Sequence, residues 1–184
     1  MTKPKIATVW LDGCSGCHMS LLDIDERLLA LVDVADLVYS PLVDAKVYPD
    51  DVDLVLIEGA VSTDEDLERV RMVRARTKTL VSFGDCAVTT NVPGMRNTIQ
   101  EKPGDPIAFS LFQRAYVENV TANPGAPKRN VPHHLPKTLP VHKVVDVDVF
   151  LPGCPPSADT IFDAVVALLD GREPQLPARA HFGG

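Results

Sequence analysis

The sequence predicts an α/β fold in which buried strands alternate with helices. Three observations support this prediction. Short apolar runs of strand length recur along the chain, segments that follow them repeat apolar residues at helical spacing, and several of the connecting turns contain glycine. Chains with this alternation form a parallel sheet that helices cover on both faces, with right-handed crossovers between the strands.

The length and composition are those of an ordinary globular domain. The chain has 184 residues, of which 45% are hydrophobic and 23% charged, so a single domain over residues 1–184 is expected. The formal net charge of -7 argues against a nucleic-acid-binding protein, and no apolar run approaches the roughly 20 residues of a membrane span. Residues 1–5 lead directly into a strand rather than a signal sequence, so we expect a cytoplasmic location without membrane contact.

The first half of the chain supplies three strands. The first is predicted over residues 6–11, the second over 35–39 and the third over 53–57, a continuous apolar run typical of a strand buried on both faces. After the first strand, apolar residues at helical spacing predict one helix: Leu21, Ile24, Leu28 and Leu31. Ser62 with Glu65 fits a capping box that would begin the helix after the third strand.

The second half supplies two more strands, separated by a long irregular segment. The fourth strand is predicted over residues 79–83 and the fifth over 143–151. Between them, residues 91–140 hold eight of the sixteen prolines, and only 109–120 has a helical pattern. We expect an extended proline-rich insertion that is functional or partner-bound, with a disordered insertion as the alternative. Ser157 is expected to cap the last helix, which Gly171 would end.

Four cysteines follow the predicted strands. Cys14 and Cys17 follow the first strand, Cys86 follows the fourth and Cys154 follows the fifth. In a parallel sheet with the flavodoxin-like strand order 2-1-3-4-5, these turns lie along one edge, and Glu58 at the end of the third strand falls beside them. Cysteines distant in the chain are therefore expected to converge on a single site.

Four convergent thiolates are typical of a metal centre. Tetrahedral sulfur ligation suits zinc or an iron–sulfur cluster, and one close pair with two distant single cysteines favours a 4Fe-4S cluster over structural zinc. Gly13 and Gly16, next to the close pair, would let the main chain approach the cluster. Zinc stays an alternative, and so does a dithiol redox site, because Cys-x-x-Cys between a strand and a helix is also typical of thioredoxin-like motifs.

Taken together, the motifs at residues 13–17, 58–59, 84–86 and 152–156 resemble the small subunit of nickel–iron hydrogenases and the related cluster-bearing subunit of respiratory complex I. The resemblance spans most of the chain. It implies a flavodoxin-like fold and assigns the proximal 4Fe-4S cluster to four ligands: Cys14, Cys17, Cys86 and Cys154. It also implies that the work of the chain is electron transfer, with no catalytic acid or nucleophile.

Two features of the cysteines narrow the choice among these related subunits. The first two cysteines are separated, as in hydrogenases, whereas the complex I relative has adjacent ones, and four cysteines suffice for one cluster only. This combination is most similar to the small subunit of the soluble, bidirectional NAD-reducing hydrogenase. The implied partners are a large subunit with the nickel–iron centre and diaphorase subunits that pass electrons through iron–sulfur clusters and FMN to NAD. FMN on this chain is left open, because a flavodoxin-like sheet allows it while the first loop lacks a hydroxyl-rich phosphate cradle.

The sequence also supports weaker predictions about the roles of several single residues. Glu58 would tune the cluster, handle protons at the subunit contact, or serve as a capping or ion-paired carboxylate. His18 is expected at the surface or at an interface, with a hydrogen bond near the cluster as the alternative. Trp10 is expected in the core or in a partner contact rather than in electron transfer, and Asp12 is expected to shape the turn. The remaining alternatives for the whole chain are a complex I-like cluster subunit, a stand-alone thiol oxidoreductase and a module that only scaffolds an assembly.

Overall fold

The computed structural model describes residues 2–99, 107–127 and 129–176. In these residues the chain forms seven strands: β1 (Lys5–Trp10), β2 (Asp36–Tyr39), β3 (Val52–Glu58), β4 (Val61–Thr63), β5 (Thr77–Phe83), β6 (His134–Leu139) and β7 (Val149–Leu151). The α-helices of the same residues are α1 (Gly16–Leu22), α2 (Arg27–Val34), α3 (Asp64–Ala75), α4 (Asp85–Thr89), α5 (Asn91–Gly94), α6 (Ile107–Gln113) and α7 (Ala158–Leu169).

Five of the strands form one parallel sheet in the order β2-β1-β3-β5-β7. This order confirms the predicted flavodoxin-like arrangement 2-1-3-4-5. The carboxyl ends of four neighbouring strands are in register, because Trp10 lies opposite Glu58, Glu58 opposite Phe83 and Phe83 opposite Leu151. The turns that follow these strands therefore begin at the same level of the sheet and share one edge.

Two apolar layers enclose the sheet. On β3, Leu54 and Leu56 point into a core that includes side chains of α2 and α7, whereas Val55 and Ile57 point into a second core that includes α3. This alternation follows from the two-residue period of a strand. Because both faces of β3 are buried, its sequence is an apolar run, as expected for a central parallel strand.

Two helix predictions differ from the structure: the first predicted helix is divided into two, and the helix after β3 begins one residue later than predicted. The apolar pattern after the first turn belongs to two helices, α1 and α2, and Asp25 between them has a left-handed φ of 56° that an α-helix does not allow. The capping box before α3 consists of Thr63 and Asp66, one residue beyond the predicted pair. Ser62 instead belongs to β4, where its main-chain N–H donates to the Asp66 carboxylate at 3.1 Å.

The fifth predicted strand is shorter than expected. Only Val149–Leu151 pairs with β5, while Val141–Lys143 form a 3₁₀ turn. The carboxylate of Asp148 accepts the main-chain N–H of Leu80 at 2.7 Å, so a side chain takes the place of a ladder partner there. At the other end of the final helix, the Ser157 cap is confirmed, and Gly171 follows the helix with a φ of 69°.

The segment 91–140 has more regular structure than predicted, and the extended proline-rich insertion is not confirmed. It contains α5, a 3₁₀ turn over Met95–Thr98 and strand β6, which pairs antiparallel with β4. Helix α6 continues as a π-helical turn over Arg114–Glu118, close to the predicted helix. Residues 100–106 and 128 of this segment, and the tail at 177–184, lie outside the described residues. The assignment of residues 1–184 to one domain stays a prediction.

Within the described ranges, every helix is too short or too polar to cross a lipid bilayer.

Candidate metal centre

The four cysteines lie in the turns at the carboxyl edge of the parallel sheet. Cys14 follows β1 and is exposed, Cys17 is buried in the first turn of α1, Cys86 is buried in α4, and Cys154 is half-buried after β7. All four are free thiols, so the structure has no Cys14–Cys17 disulfide. The predicted convergence therefore rests on turns that the register of the sheet aligns.

The thiols of the site influence one another electrostatically. Burial raises the pKa of Cys17 above its ordinary value, and Glu58 and the other three cysteines raise it further because each would add negative charge nearby. Burial also raises the pKa of Cys86 to about 11, with further contributions from Cys14 and Cys154. Burial therefore favours the protonated thiol form of Cys17 and Cys86. A cationic metal group would favour the thiolate form instead.

The turn after β5 packs directly against the first cysteine pair. Gly84 has a φ of 80°, and a Cβ placed on it would lie only 2.1 Å from Sγ of Cys17. Glycine at this position lets the main chain pass the sulfur with no side chain between them. The same turn is joined to the last one, since the Asp85 N–H donates to the Gly153 carbonyl at 2.8 Å and the Gly153 N–H donates to the Asp85 carboxylate at 2.8 Å.

The two glycines of the first turn also lie in confined positions. A Cβ on Gly13 would lie 3.1 Å from Cα of Gly59 and 3.7 Å from Oε1 of Glu58, and one on Gly16 would lie 3.2 Å from Sγ of Cys14. The main-chain N–H of Gly16 donates to that same sulfur at 3.3 Å. The first turn thus brings main-chain donors close to the cysteine sulfur, as a cluster site requires.

Further hydrogen-bond donors reach the other sulfurs. The side-chain amide of Asn91 donates to Sγ of Cys154 at 3.2 Å, and the main-chain N–H of Val92 donates to Cys86. Both donors lie at the start of α5. Sequence reasoning missed them, and the only signal in the sequence is the polar pair Thr90-Asn91 soon after the third cysteine.

Glu58 and His18 form a buried pair beneath the cysteines. Oε2 of Glu58 accepts the main-chain N–H of His18 at 3.0 Å and contacts Nδ1 of its ring. Nε2 of His18 lies 2.9 Å from Oγ1 of Thr8, which donates to Ser40 at 2.7 Å. The capping alternative for Glu58 is therefore confirmed, because its carboxylate accepts a main-chain N–H in the first turn of α1. Its role toward a cofactor stays a proposal.

The structure bears on three expectations about the first turn. His18 is fully buried rather than at the surface, because Thr8 and Glu58 on neighbouring strands satisfy both of its ring nitrogens. Trp10 is 43% exposed and so is not a core residue, while the alternative of a partner contact stays a prediction. Its Nε1 donates to the Gly13 carbonyl at 3.2 Å. Asp12 does shape the turn, since its main chain pairs with Ala60 through two hydrogen bonds.

A comparison with known protein families shows the family of this chain. The model of the family described as NADH ubiquinone oxidoreductase, 20 Kd subunit, matches residues 14–168, from the first cysteine to the last helix. The chain belongs to this family.

Two relatives of this family member are hydrogenase subunits. The NAD-reducing hydrogenase HoxS subunit delta of Cupriavidus necator is 43% identical over 182 residues, which are 96% of this chain and 83% of the relative. A subunit of the F420-non-reducing hydrogenase of Methanothermobacter marburgensis is 38% identical over 181 residues, or 96% of this chain. The chain spans only 56% of the length of this second relative.

A solved structure agrees with these relatives. The crystal structure of the NAD+-reducing [NiFe]-hydrogenase in the H2-reduced state contains a chain that superposes with a TM-score of 0.88 at 37% identity, covering 96% of this chain and 97% of that one. The predicted resemblance to the hydrogenase small subunit and to its complex I relative is thereby confirmed. Hydrogenase small subunits of this family usually bind an iron–sulfur cluster.

The donor set of this family member fits such a cluster. Four thiols and the main-chain donors around them are the groups that iron–sulfur clusters require. Among residues 2–99, 107–127 and 129–176, no three His, Cys, Asp or Glu side chains are gathered closely enough to hold a single metal ion.

Proposed function

We propose that this chain is the electron-transfer small subunit of a NAD-reducing nickel–iron hydrogenase. Cys14, Cys17, Cys86 and Cys154 hold one 4Fe-4S cluster, with Gly13, Gly16 and Glu58 contributing to its binding site. The observation that carries the proposal is that four free cysteines follow strands aligned at one sheet edge. The similarity of this chain to the HoxS delta subunit supports the proposed reaction, the reduction of NAD+ by hydrogen.

When bound, the cluster supplies a centre that accepts and releases one electron at a time. The chain's own residues shape the surroundings of that centre. Gly84 leaves room for the Cys17 sulfur, the Gly16 N–H donates to Cys14, and the carboxylate of Glu58 fixes the start of the helix that carries Cys17. The chain thus conducts electrons and needs no acid, base or nucleophile of its own.

The surface near the cysteines is suited to a partner subunit. Three large apolar side chains lie close to a cysteine in the sequence or in the fold and are exposed: Trp10 (43%), Met19 (56%) and Val92 (63%). Exposed apolar patches on soluble proteins commonly mark protein–protein contacts. In our proposal the large subunit with the nickel–iron centre covers this surface, and hydrogen is split there rather than on this chain.

Electrons leave through diaphorase subunits, whose iron–sulfur clusters and FMN reduce NAD, so the overall reaction is H2 + NAD+ to NADH + H+. The protein works in the cytoplasm in this proposal. The chain spans only part of some relatives, so the full set of subunits is part of the proposal as well.

A complex I-like cluster subunit is the second candidate, and the description of the matching family favours it. The two candidates differ in the metal of the partner. Purification of the tagged chain from its native cells, followed by metal analysis, separates them: nickel in a co-purifying large subunit supports the hydrogenase, and an assembly without nickel supports the complex I type.

The hydrogenase proposal is tested by a ligand variant in the purified complex. Cys86→Ser is expected to lower the iron content of this chain and the rate of H2-dependent NAD+ reduction. Thr89→Ser, an exposed position on the same helix, is the matched control and should change neither. Unchanged iron and unchanged activity in Cys86→Ser would refute the ligand assignment.

A further inference from the structure

The turn at the junction of α4 and α5 has an unusual backbone. Thr90 and Asn91 are consecutive, neither is glycine, and both adopt positive φ angles, of 74° and 36°. A left-handed residue other than glycine costs about 1–2 kcal/mol, although asparagine tolerates the conformation better than most residues. Strained backbone of this kind tends to gather at functional sites, where the surrounding structure holds it in place.

Contacts on both sides hold this turn. The Thr90 N–H donates to the Cys86 carbonyl at 3.1 Å, and the Thr90 carbonyl accepts the Gly94 N–H at 3.1 Å. A Cβ on Gly94 would lie 2.0 Å from Oγ1 of Thr90, so a glycine is needed there to admit the threonine side chain. The result is a fixed turn that directs the Asn91 side chain toward a cysteine 63 residues further along the chain.

The partner of that side chain is the sulfur of Cys154, at 3.2 Å from Nδ2 of Asn91. A hydrogen bond to a cluster sulfur withdraws electron density from it and stabilises the more negative, reduced cluster, so it raises the reduction potential. The effect is strong where solvent is partly excluded, and Asn91 is half-buried. Asparagine contributes this donor without a charge of its own, so its influence does not depend on pH.

We propose that Asn91 is a positioning residue that raises the reduction potential of the cluster through its hydrogen bond to Cys154. This inference rests on the proposed function, because it needs the cluster that the four cysteines are proposed to hold. It goes beyond that function by naming the residue that makes the cluster of this chain easier to reduce.

A purely structural role for Asn91 gives a different expectation. If the residue only formed the left-handed turn, then glycine and aspartate would replace it without effect on the cluster, because both accept that conformation. Asn91→Gly removes the amide, and Asn91→Asp removes the donor while adding a negative charge. The matched control is Thr90→Gly, which keeps the left-handed backbone and leaves the Asn91 amide in place.

The experiment is a redox titration of the purified complex, in which the EPR signal of the reduced cluster is followed. The midpoint potential is expected to be highest in the wild type and in Thr90→Gly, lower in Asn91→Gly and lowest in Asn91→Asp. Equal midpoints in all four proteins would overturn the inference. Loss of the cluster from both Asn91 variants, with normal iron in Thr90→Gly, would overturn it too, because the amide would then build the site rather than tune it.

The same titration separates this inference from the proposed function. A wild-type protein with no cluster signal and no iron contradicts the proposed function itself. A wild-type protein with a normal cluster whose potential ignores the Asn91 variants contradicts only the role of Asn91.

Discussion

One oxygen of Glu58, Oε2, contacts both the main-chain N–H of His18, at 3.0 Å, and the Nδ1 atom of the His18 ring. Glu58 ends the central strand β3, and His18 lies in the first turn of α1, directly after Cys17. Both residues are almost fully buried. This contact therefore fixes the helix that carries Cys17 to the edge of the sheet. Its loss would lower the stability of the protein and shift the position of Cys17.

Replacing Glu58 by glutamine is expected to lower the free energy of unfolding by about 1–3 kcal/mol, because an amide of the same shape replaces the carboxyl group whose Oε2 contacts both the His18 N–H and its ring. Equilibrium urea unfolding measures the change. Glu68→Gln, at an exposed position on α3, is the matched control and should lie within about 0.5 kcal/mol of the wild type. Equal effects of the two substitutions would contradict the role given to the buried pair.

Gly84→Ala is expected to destabilise the protein by about 2–4 kcal/mol and to lower its iron content, since the new Cβ meets the Cys17 sulfur and the positive φ adds strain. Gly171→Ala has a similar φ of 69° but open space around the added atom. It should cost only about 1 kcal/mol, from the backbone alone. Urea unfolding with iron analysis compares the two, and a similar loss in both variants would mean that contact with Cys17 is unimportant.

Ser82→Ala is expected to stabilise the protein by about 1 kcal/mol, because the Ser82 hydroxyl is buried and, within the described part of the chain, has no hydrogen-bond partner. Ser40→Ala provides the contrast. The Ser40 oxygen accepts hydrogen bonds from Thr8 and from the Leu42 N–H, so its loss should destabilise by a similar amount. Thermal unfolding of both variants tests the pair, and destabilisation by Ser82→Ala would show that its hydroxyl is needed.

The stability of the protein should also depend on pH through Asp53. A hydrogen bond from Lys78, together with the Lys5 main-chain N–H, lowers the pKa of Asp53 below its ordinary value of 3.8. A lowered pKa means that the folded state favours the ionised carboxylate. Its contribution is therefore present above pH 3.8 and is lost as the pH falls through the folded pKa. Both side chains are partly exposed, so solvent screening keeps this contribution modest.

The Asp53→Asn variant tests this dependence. In urea unfolding at a series of pH values, the wild type should be more stable than the variant at neutral pH, and the difference should shrink below pH 3.8. A difference that stays constant down to the lowest pH would show that ionisation of Asp53 does not contribute.

The order of the parallel sheet and the convergence of the cysteines could be predicted from the sequence. Buried parallel strands such as β3 are continuous apolar runs, and the crossover rules then leave few ways to arrange them. Once that order is known, the turns with Cys14, Cys86 and Cys154 must share an edge, whatever their separation in the chain.

Features that depend on distant partners could not be predicted in the same way. The burial of His18 follows from Thr8 and Glu58, which flank it only in the folded structure. The pairing of β4 with β6 joins two short strands that lie far apart in the chain, and neither has a strong apolar pattern. The role of Asn91 became visible only because its turn directs the amide to Cys154.

The most direct test of the account is a measurement of iron and acid-labile sulfide in the anaerobically purified protein, combined with low-temperature EPR after reduction. We expect about four irons and about four sulfides per chain, with the EPR signal of a single reduced 4Fe-4S cluster. Bound zinc, or a metal-free protein with a reversible Cys14–Cys17 dithiol, would contradict the account.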